Sequence, residues 1–149
     1  MKQWIIIALA VWAALFAPIA SADTLKTDPA KLNAVAWVVF CEDNTDLTAS
    51  HLVLSTVYNR ANSHDVRELY RAVSAKGQYH CHRIKPTAKQ LASQRFKDIV
   101  QMVRTFIVEE HFPSTRAKYF YNHKLVKRAA LGKMRLTVLR VYGSHTYLV

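Results

Sequence analysis

An uncharged stretch at residues 4–20 limits where this chain can fold and what chemistry its cysteines can undergo. It follows Lys2 and ends in the small residues of positions 20–22, a pattern typical of a signal-peptidase site. We therefore interpret residues 1–22 as a secretory signal peptide. The alternative is an uncleaved, weakly hydrophobic anchor at the outer face of the inner membrane. In both cases the folded part is exported, to the periplasm or the extracellular space.

Removing 22 of the 149 residues leaves 127, and the whole chain contains only 3 Gly and 4 Pro. This composition predicts one compact domain, residues 23–149, large enough to bury a core. Lysine and arginine number 21 against 10 acidic residues, and the segment 111–149 contains no acid. For an exported protein this charge predicts anionic envelope polymers as partners rather than nucleic acid, with a membrane as partner only if the leader stays attached.

Cys41 and Cys81 are the only cysteines. An even pair in an oxidising compartment favours one disulfide, closing a loop of about 40 residues and stabilising the fold by about 3 to 4 kcal/mol. Two buried free thiols are the alternative.

Hydrophobic periodicity and capping residues predict a mostly helical α+β domain with a small C-terminal β element. Asp28 before Pro29 marks a helix start, Asp65 with Glu68 fits a capping box, and so does Thr87 with Gln90. The predicted helices cover residues 29–42, 48–62, 65–74 and 87–110, the last as one helix or two, and the predicted strands cover 119–122, 137–142 and 147–149.

Glu42 is the candidate for acid chemistry. It lies at the predicted C-terminal end of the first helix, after the apolar run 37–40. The negative end of the helix dipole and an apolar surround both raise the pKa of a carboxyl group. A carboxylic acid that stays protonated near neutral pH can protonate the leaving oxygen of a glycosidic bond.

Six short motifs occur in an order that resembles the SleB-type cell-wall hydrolase family, which includes spore-cortex-lytic enzymes. They are Phe-Cys-Glu at 40–42, Asp46, Val-Tyr-Asn-Arg at 57–60, Gly-Gln-Tyr-His-Cys at 77–81, Tyr-Phe-Tyr-Asn at 119–122 and Gly-Ser-His-Thr-Tyr at 143–147. The resemblance spans residues 35–149. It implies a lysozyme-like fold and cleavage of peptidoglycan glycan strands by one glutamate, without a cofactor.

The resemblance places Glu42 on the family's catalytic acid and Cys81 on a cysteine that many relatives carry. The candidate substrate-binding residues are Asn59, Gln78, Tyr79, Tyr121, Asn122 and His145. Amides and aromatic rings together suit an N-acetylated sugar, through hydrogen bonds to its edge and stacking on its face. Each of these residues also has a structural interpretation: Asn59 and Arg60 can close a helix end, and His145 can satisfy a buried strand or orient the acid.

The chain departs from the family pattern after the glutamate. Asp43 and Asn44 replace small and basic residues, Asp46 stands where the family has a second Glu, and His123 replaces a proline. These departures favour, as one alternative, a non-catalytic basic protein that keeps the fold and binds the envelope.

A zinc-binding exported module that uses residues 41 and 80–82 is a weaker alternative. The residue types suit zinc, but the His-Cys-His run does not turn three side chains towards one ion, and no H-E-x-x-H helix is present. We expect no metal.

Overall fold

The computed structural model describes residues 28–125 and 136–149. In these residues the helices are α1 Pro29–Glu42, α2 Leu47–Ala61, α3 Val66–Ser74, α4 Ala88–Ala92 and α5 Gln94–Val108, with a 3₁₀ turn at His80–Arg83. The strands are β1 Tyr119–Asn122, β2 Val138–Tyr142 and β3 His145–Leu148. The mostly helical α+β class predicted from the sequence is confirmed.

Helix α1 is the centre of the core. Asp28 caps its first turn by accepting from the backbone of Ala30 and Lys31, and Pro29 occupies the first helical position. Every residue from Val35 to Phe40 is buried, so the helix is covered on most sides. It packs against α5, α3, α2 and the 3₁₀ turn, and Glu42 at its C-terminal end is only half-buried.

The predicted caps are present, with one difference. Thr87 and Gln90 form the reciprocal capping box of α4. Ser93 ends α4 and also caps α5, so the region 87–110 contains two helices. Asp65 caps α3, but the predicted box is not formed because the Glu68 side chain pairs with Arg71.

The three strands form an antiparallel sheet in the order β1-β3-β2, so the last strand in sequence is the central one. A tight turn at Gly143, whose φ is +57°, joins β2 to β3. The predicted third strand begins at 147, whereas β3 begins two residues earlier. In this register His145 is opposite both Asn122 and Tyr142.

The predicted leader, residues 1–22, lies outside the described residues, as does the basic segment 126–135. Across residues 28–125 and 136–149, none of the helices has the length and apolar character needed to cross a bilayer.

Candidate active site around Glu42

Glu42 is the last residue of α1 and is half-buried. Burial raises the pKa of its carboxyl group, and this effect outweighs the backbone of Cys81, the charges of His145 and His80, and the backbone of His80, all of which lower it. The Glu42 Oε1 atom accepts a hydrogen bond of 3.2 Å from the backbone N–H of Cys81. The arrangement holds a carboxylic acid in a fixed direction and favours its protonated form.

The segment whose N–H group donates to Glu42 is joined to α1 by a covalent bond. Cys41 and Cys81 form a disulfide, with Cα atoms 5.7 Å apart. Cys81 is buried and lies in the 3₁₀ turn, directly after the Gly77–His80 loop. The disulfide therefore fixes the end of the first helix against the loop that carries Gln78.

The Gly77–His80 loop lines a cleft of about 270 Å³, which Arg83 completes. Gln78 is exposed, and its Oε1 accepts a hydrogen bond from the Arg60 guanidinium. Gly77 has a φ of +76°, a conformation that glycine adopts without strain. Gln78 thus presents an amide at a cleft, three positions before Cys81, whose N–H donates to Glu42.

Tyr79 is in the core rather than at the surface, with only 5% of its area exposed. Burial raises the pKa of its phenol to about 12, and the hydroxyl lies 3.1 Å from Thr56 Oγ1. Its ring is therefore placed to support the loop from beneath and offers little face to a sugar.

Arg60 organises this region, a role that sequence reasoning missed. Its guanidinium carbon lies 5.1 Å from the centre of the Tyr79 ring and 4.7 Å from that of Tyr119, and it also donates to the Lys118 carbonyl. The sequence instead favoured a role for Arg60 in closing the end of α2. The Asn-Arg pair at that end was the available signal, but its partners come from positions 18 to 59 residues further along the chain.

Asp43 and His145 form a buried pair next to Glu42. His145 Nδ1 lies 2.8 Å from Asp43 Oδ2, and since a carboxylate only accepts, the nitrogen donates. Burial disfavours the charge of Asp43, but hydrogen bonds from His145 and Thr45 outweigh it and lower the pKa of this aspartate. Asp43 is thus held ionised, with its oxygens engaged.

Asp46 and Asn59 have structural partners. Asp46 caps α2 by accepting from the Ala49 N–H, and its second oxygen accepts from the Tyr142 hydroxyl at 3.1 Å. The Asn59 amide donates to the carbonyls of residues 115 and 117, at 2.7 and 2.8 Å. Asn59 therefore anchors the strand-bearing segment to α2.

Tyr121 and Asn122 end β1, and both are half-buried. The Asn122 amide lies 3.4 Å from Ser144 Oγ, while its oxygen accepts from the Lys124 N–H in the following turn. The register brings Asn122 opposite His145 and Tyr121 opposite Thr146, so the sheet places both C-terminal motifs beside the Asp43 pair.

No protein-family model, curated protein or solved structure matches this chain. The resemblance to the SleB-type family therefore stays a prediction.

The disulfide bears on the zinc alternative, because it leaves neither Cys41 nor Cys81 as a thiolate that could bind the metal. Across residues 28–125 and 136–149, no group of three or more His, Cys, Asp or Glu side chains is arranged to hold a metal ion. We do not propose this alternative further.

Proposed function

We propose that this protein cleaves the glycan strands of peptidoglycan, with Glu42 as the only proton-transferring carboxylate. The observation that carries the proposal is the carboxyl group at the end of a buried helix, whose pKa burial raises and whose direction the Cys81 N–H fixes. Net charge supports an anionic polymer as substrate, since the chain has a formal charge of +11.

The engagement of the two nearby aspartates supports a one-carboxylate mechanism. A two-carboxylate glycosidase needs its second carboxylate free to attack the sugar or activate water. Asp43 accepts from His145 and Thr45, while Asp46 accepts from the Ala49 N–H and from Tyr142. The fold uses both groups as acceptors, which favours a lytic transglycosylase over a two-carboxylate hydrolase.

In this mechanism protonated Glu42 donates its proton to the glycosidic oxygen as the bond from that oxygen to C1 breaks. The ionised Glu42 then removes the proton of the sugar's own 6-hydroxyl, whose oxygen bonds to the oxocarbenium-like C1. The product carries a 1,6-anhydro end, Glu42 regains its proton, and no water is consumed. The Gln78 amide and the Tyr121-Asn122 end of β1 are the proposed contacts for the N-acetylated sugars.

The experiment is digestion of purified peptidoglycan by the parent protein, Glu42→Gln and Glu68→Gln. The amide introduced by Glu42→Gln keeps size and hydrogen bonding but has no proton to give, so release of soluble fragments should fall more than about a hundredfold. Glu68 pairs with Arg71 on the surface of α3, so its variant is the matched control and should digest normally.

Equal digestion by the parent and Glu42→Gln would contradict the assignment. A parent that binds peptidoglycan without releasing fragments would instead establish the non-catalytic envelope-binding protein.

A further inference from the structure

A second cavity, of about 680 Å³, lies outside the Glu42 site. Residues of α1, α3, the 3₁₀ turn, the 84–86 loop, α4 and α5 line it. This volume is within the range of about 300 to 1,000 Å³ found for small-molecule sites.

The floor of the cavity is apolar. Trp37, Tyr70, Leu91 and Phe96 line it from four different helices. The polar atom of Trp37 is already used, because its Nε1 donates to the Ile84 carbonyl at 2.7 Å. Leu91 is 42% exposed, so the apolar lining continues to the opening. Such a lining favours a hydrocarbon group, since burying one CH₂ contributes about 0.8 kcal/mol.

The charged part of the wall is basic and confined to one short segment, while Asn33 on α1 adds an uncharged polar side chain. His82, Arg83 and Lys85 line the cavity within four consecutive positions, and Arg83 and Lys85 are exposed. Among the described residues that line the cavity, none is acidic. An apolar floor with basic groups at one side complements a molecule with one anionic head and one apolar tail.

We propose that this cavity binds a single-chain anionic amphiphile, with its hydrocarbon chain over Trp37 and Phe96 and its carboxylate at Arg83 and Lys85. The cavity shares Arg83 with the cleft of the Gly77–His80 loop, but Glu42 does not line it, and its occupancy does not depend on the proposed cleavage of glycan strands. The export that residues 1–22 predict would bring this basic protein to the membrane surface and to lipid-linked envelope polymers, where such molecules occur.

Isothermal titration of the purified protein with dodecanoate, below its critical micelle concentration, tests the proposal. We expect saturable binding of one molecule per chain. Butanoate keeps the head but lacks eight CH₂ groups and should bind more than about a thousandfold more weakly. Dodecanol keeps the tail but lacks the charge and should bind about two- to fivefold more weakly.

Two variants locate the site. Ala34→Phe adds a ring on the α1 wall and Leu91→Glu puts an acid at the opening, and each should weaken dodecanoate binding at least about tenfold. Leu91 is exposed, so its variant keeps the test valid if Ala34→Phe fails to fold. Lys85→Gln should weaken binding about two- to fivefold, whereas Lys89→Gln, outside the lining, should leave it unchanged.

Glu42→Gln should bind dodecanoate like the parent, which separates this proposal from the proposed activity. Dodecanoate binding that Leu91→Glu leaves unchanged would overturn it. Equal binding of dodecanol and dodecanoate would overturn the assignment of the basic segment. An acidic peptide that competes with dodecanoate and binds more tightly would assign the cavity to a peptide instead.

Discussion

The backbone N–H of Cys81 donates to Glu42 Oε1 at 3.2 Å, and the sulfur of the same residue is bonded to Cys41, the neighbour of Glu42 in sequence. Cys81 is thus hydrogen-bonded to Glu42 and covalently bonded to the residue that precedes Glu42. The Glu42 carboxyl cannot move away from the Gln78 loop without breaking the hydrogen bond or straining the disulfide.

Reduction of the disulfide should lower both stability and activity. Opening a loop of about 40 residues removes about 3 to 4 kcal/mol from the free energy of unfolding, and it frees the Cys81 N–H to move away from Glu42. Thermal melting and digestion of peptidoglycan with and without reductant measure the two effects. A control count of free thiols in the unfolded, unreduced protein should give none. Two titratable thiols would refute the bridge.

The pH dependence of stability should report the state of Glu42. Below about pH 4.3, the ordinary pKa of glutamate, the side chain is neutral both folded and unfolded and burial has no cost. As the pH rises through its raised folded pKa, the charged form destabilises the fold. Glu42→Gln should therefore gain stability over the parent as the pH rises, in denaturant titrations at several pH values. A pH-independent difference would show that the carboxyl is not perturbed.

In the proposed mechanism, the same raised pKa should set the alkaline limb of the pH–activity profile. A general acid must be protonated, so the rate should fall as the pH rises through the pKa of Glu42 in the free enzyme. The measurement is the pH profile of kcat/KM on soluble glycan fragments.

Asp46→Asn should retain much of the rate, because Asn also caps a helix and Asp46 is not the proposed nucleophile. The side-chain oxygen of the introduced asparagine can still accept from the Ala49 N–H, and its amide nitrogen can donate to the Tyr142 hydroxyl in place of the lost carboxylate oxygen. Mass spectrometry of the digests should show fragments one water lighter than hydrolysis products for both proteins. Hydrated reducing ends, together with an inactive Asp46→Asn, would indicate a two-carboxylate hydrolase.

His145→Ala should be strongly destabilising. It removes the hydrogen bond from His145 to the buried carboxylate of Asp43, which keeps the two bonds from Thr45, and loss of a hydrogen bond to a charged group costs about 1.5 to 3 kcal/mol. Tyr147→Phe on the same strand is the control. Among the described residues the buried Tyr147 hydroxyl has no hydrogen-bond partner, so its removal should be neutral or stabilising. Equal denaturant midpoints for His145→Ala and Tyr147→Phe would show that the Asp43–His145 pair does not stabilise the fold.

Arg60→Lys should loosen the Gln78 loop. The planar guanidinium of Arg60 donates to the Gln78 amide and the Lys118 carbonyl and also lies against the rings of Tyr79 and Tyr119. The single ammonium group of lysine lacks this planar set of donors. For a positioning residue we expect KM for glycan fragments to rise more than kcat falls. Arg71→Lys, an exposed change on α3, is the control and should leave both constants unchanged. A fall in kcat as large as the rise in KM would show that Arg60 acts on the reacting atoms.

Local signals were enough to predict the helices. Asp28 with Pro29, and Thr87 with Gln90, specify helix starts through contacts within four residues, and the structure contains both. Glu68 shows the limit of such signals, because an arginine one turn later competes for its side chain.

The environment of the site depended on contacts between distant parts of the chain. The partner of Asp43 lies 102 residues away, and the burial of Tyr79 depends on Thr56 and the sheet side chain Phe120. A single sequence contains no period or cap that reports such pairings. The position of Glu42 at a helix end could be predicted, but its N–H donor could not.

The strand order β1-β3-β2 has a consequence for the order of folding. Residues 119–122 have no neighbour in the sheet until residues 145–148 insert between them and β2, so a chain made from its N-terminus collapses its helices first. His145 arrives on that same central strand. The helical part can therefore form first, with Asp43 accepting from Thr45 but not yet from His145, and docking of β3 on β1 brings His145 to this carboxylate and completes the surroundings of Glu42.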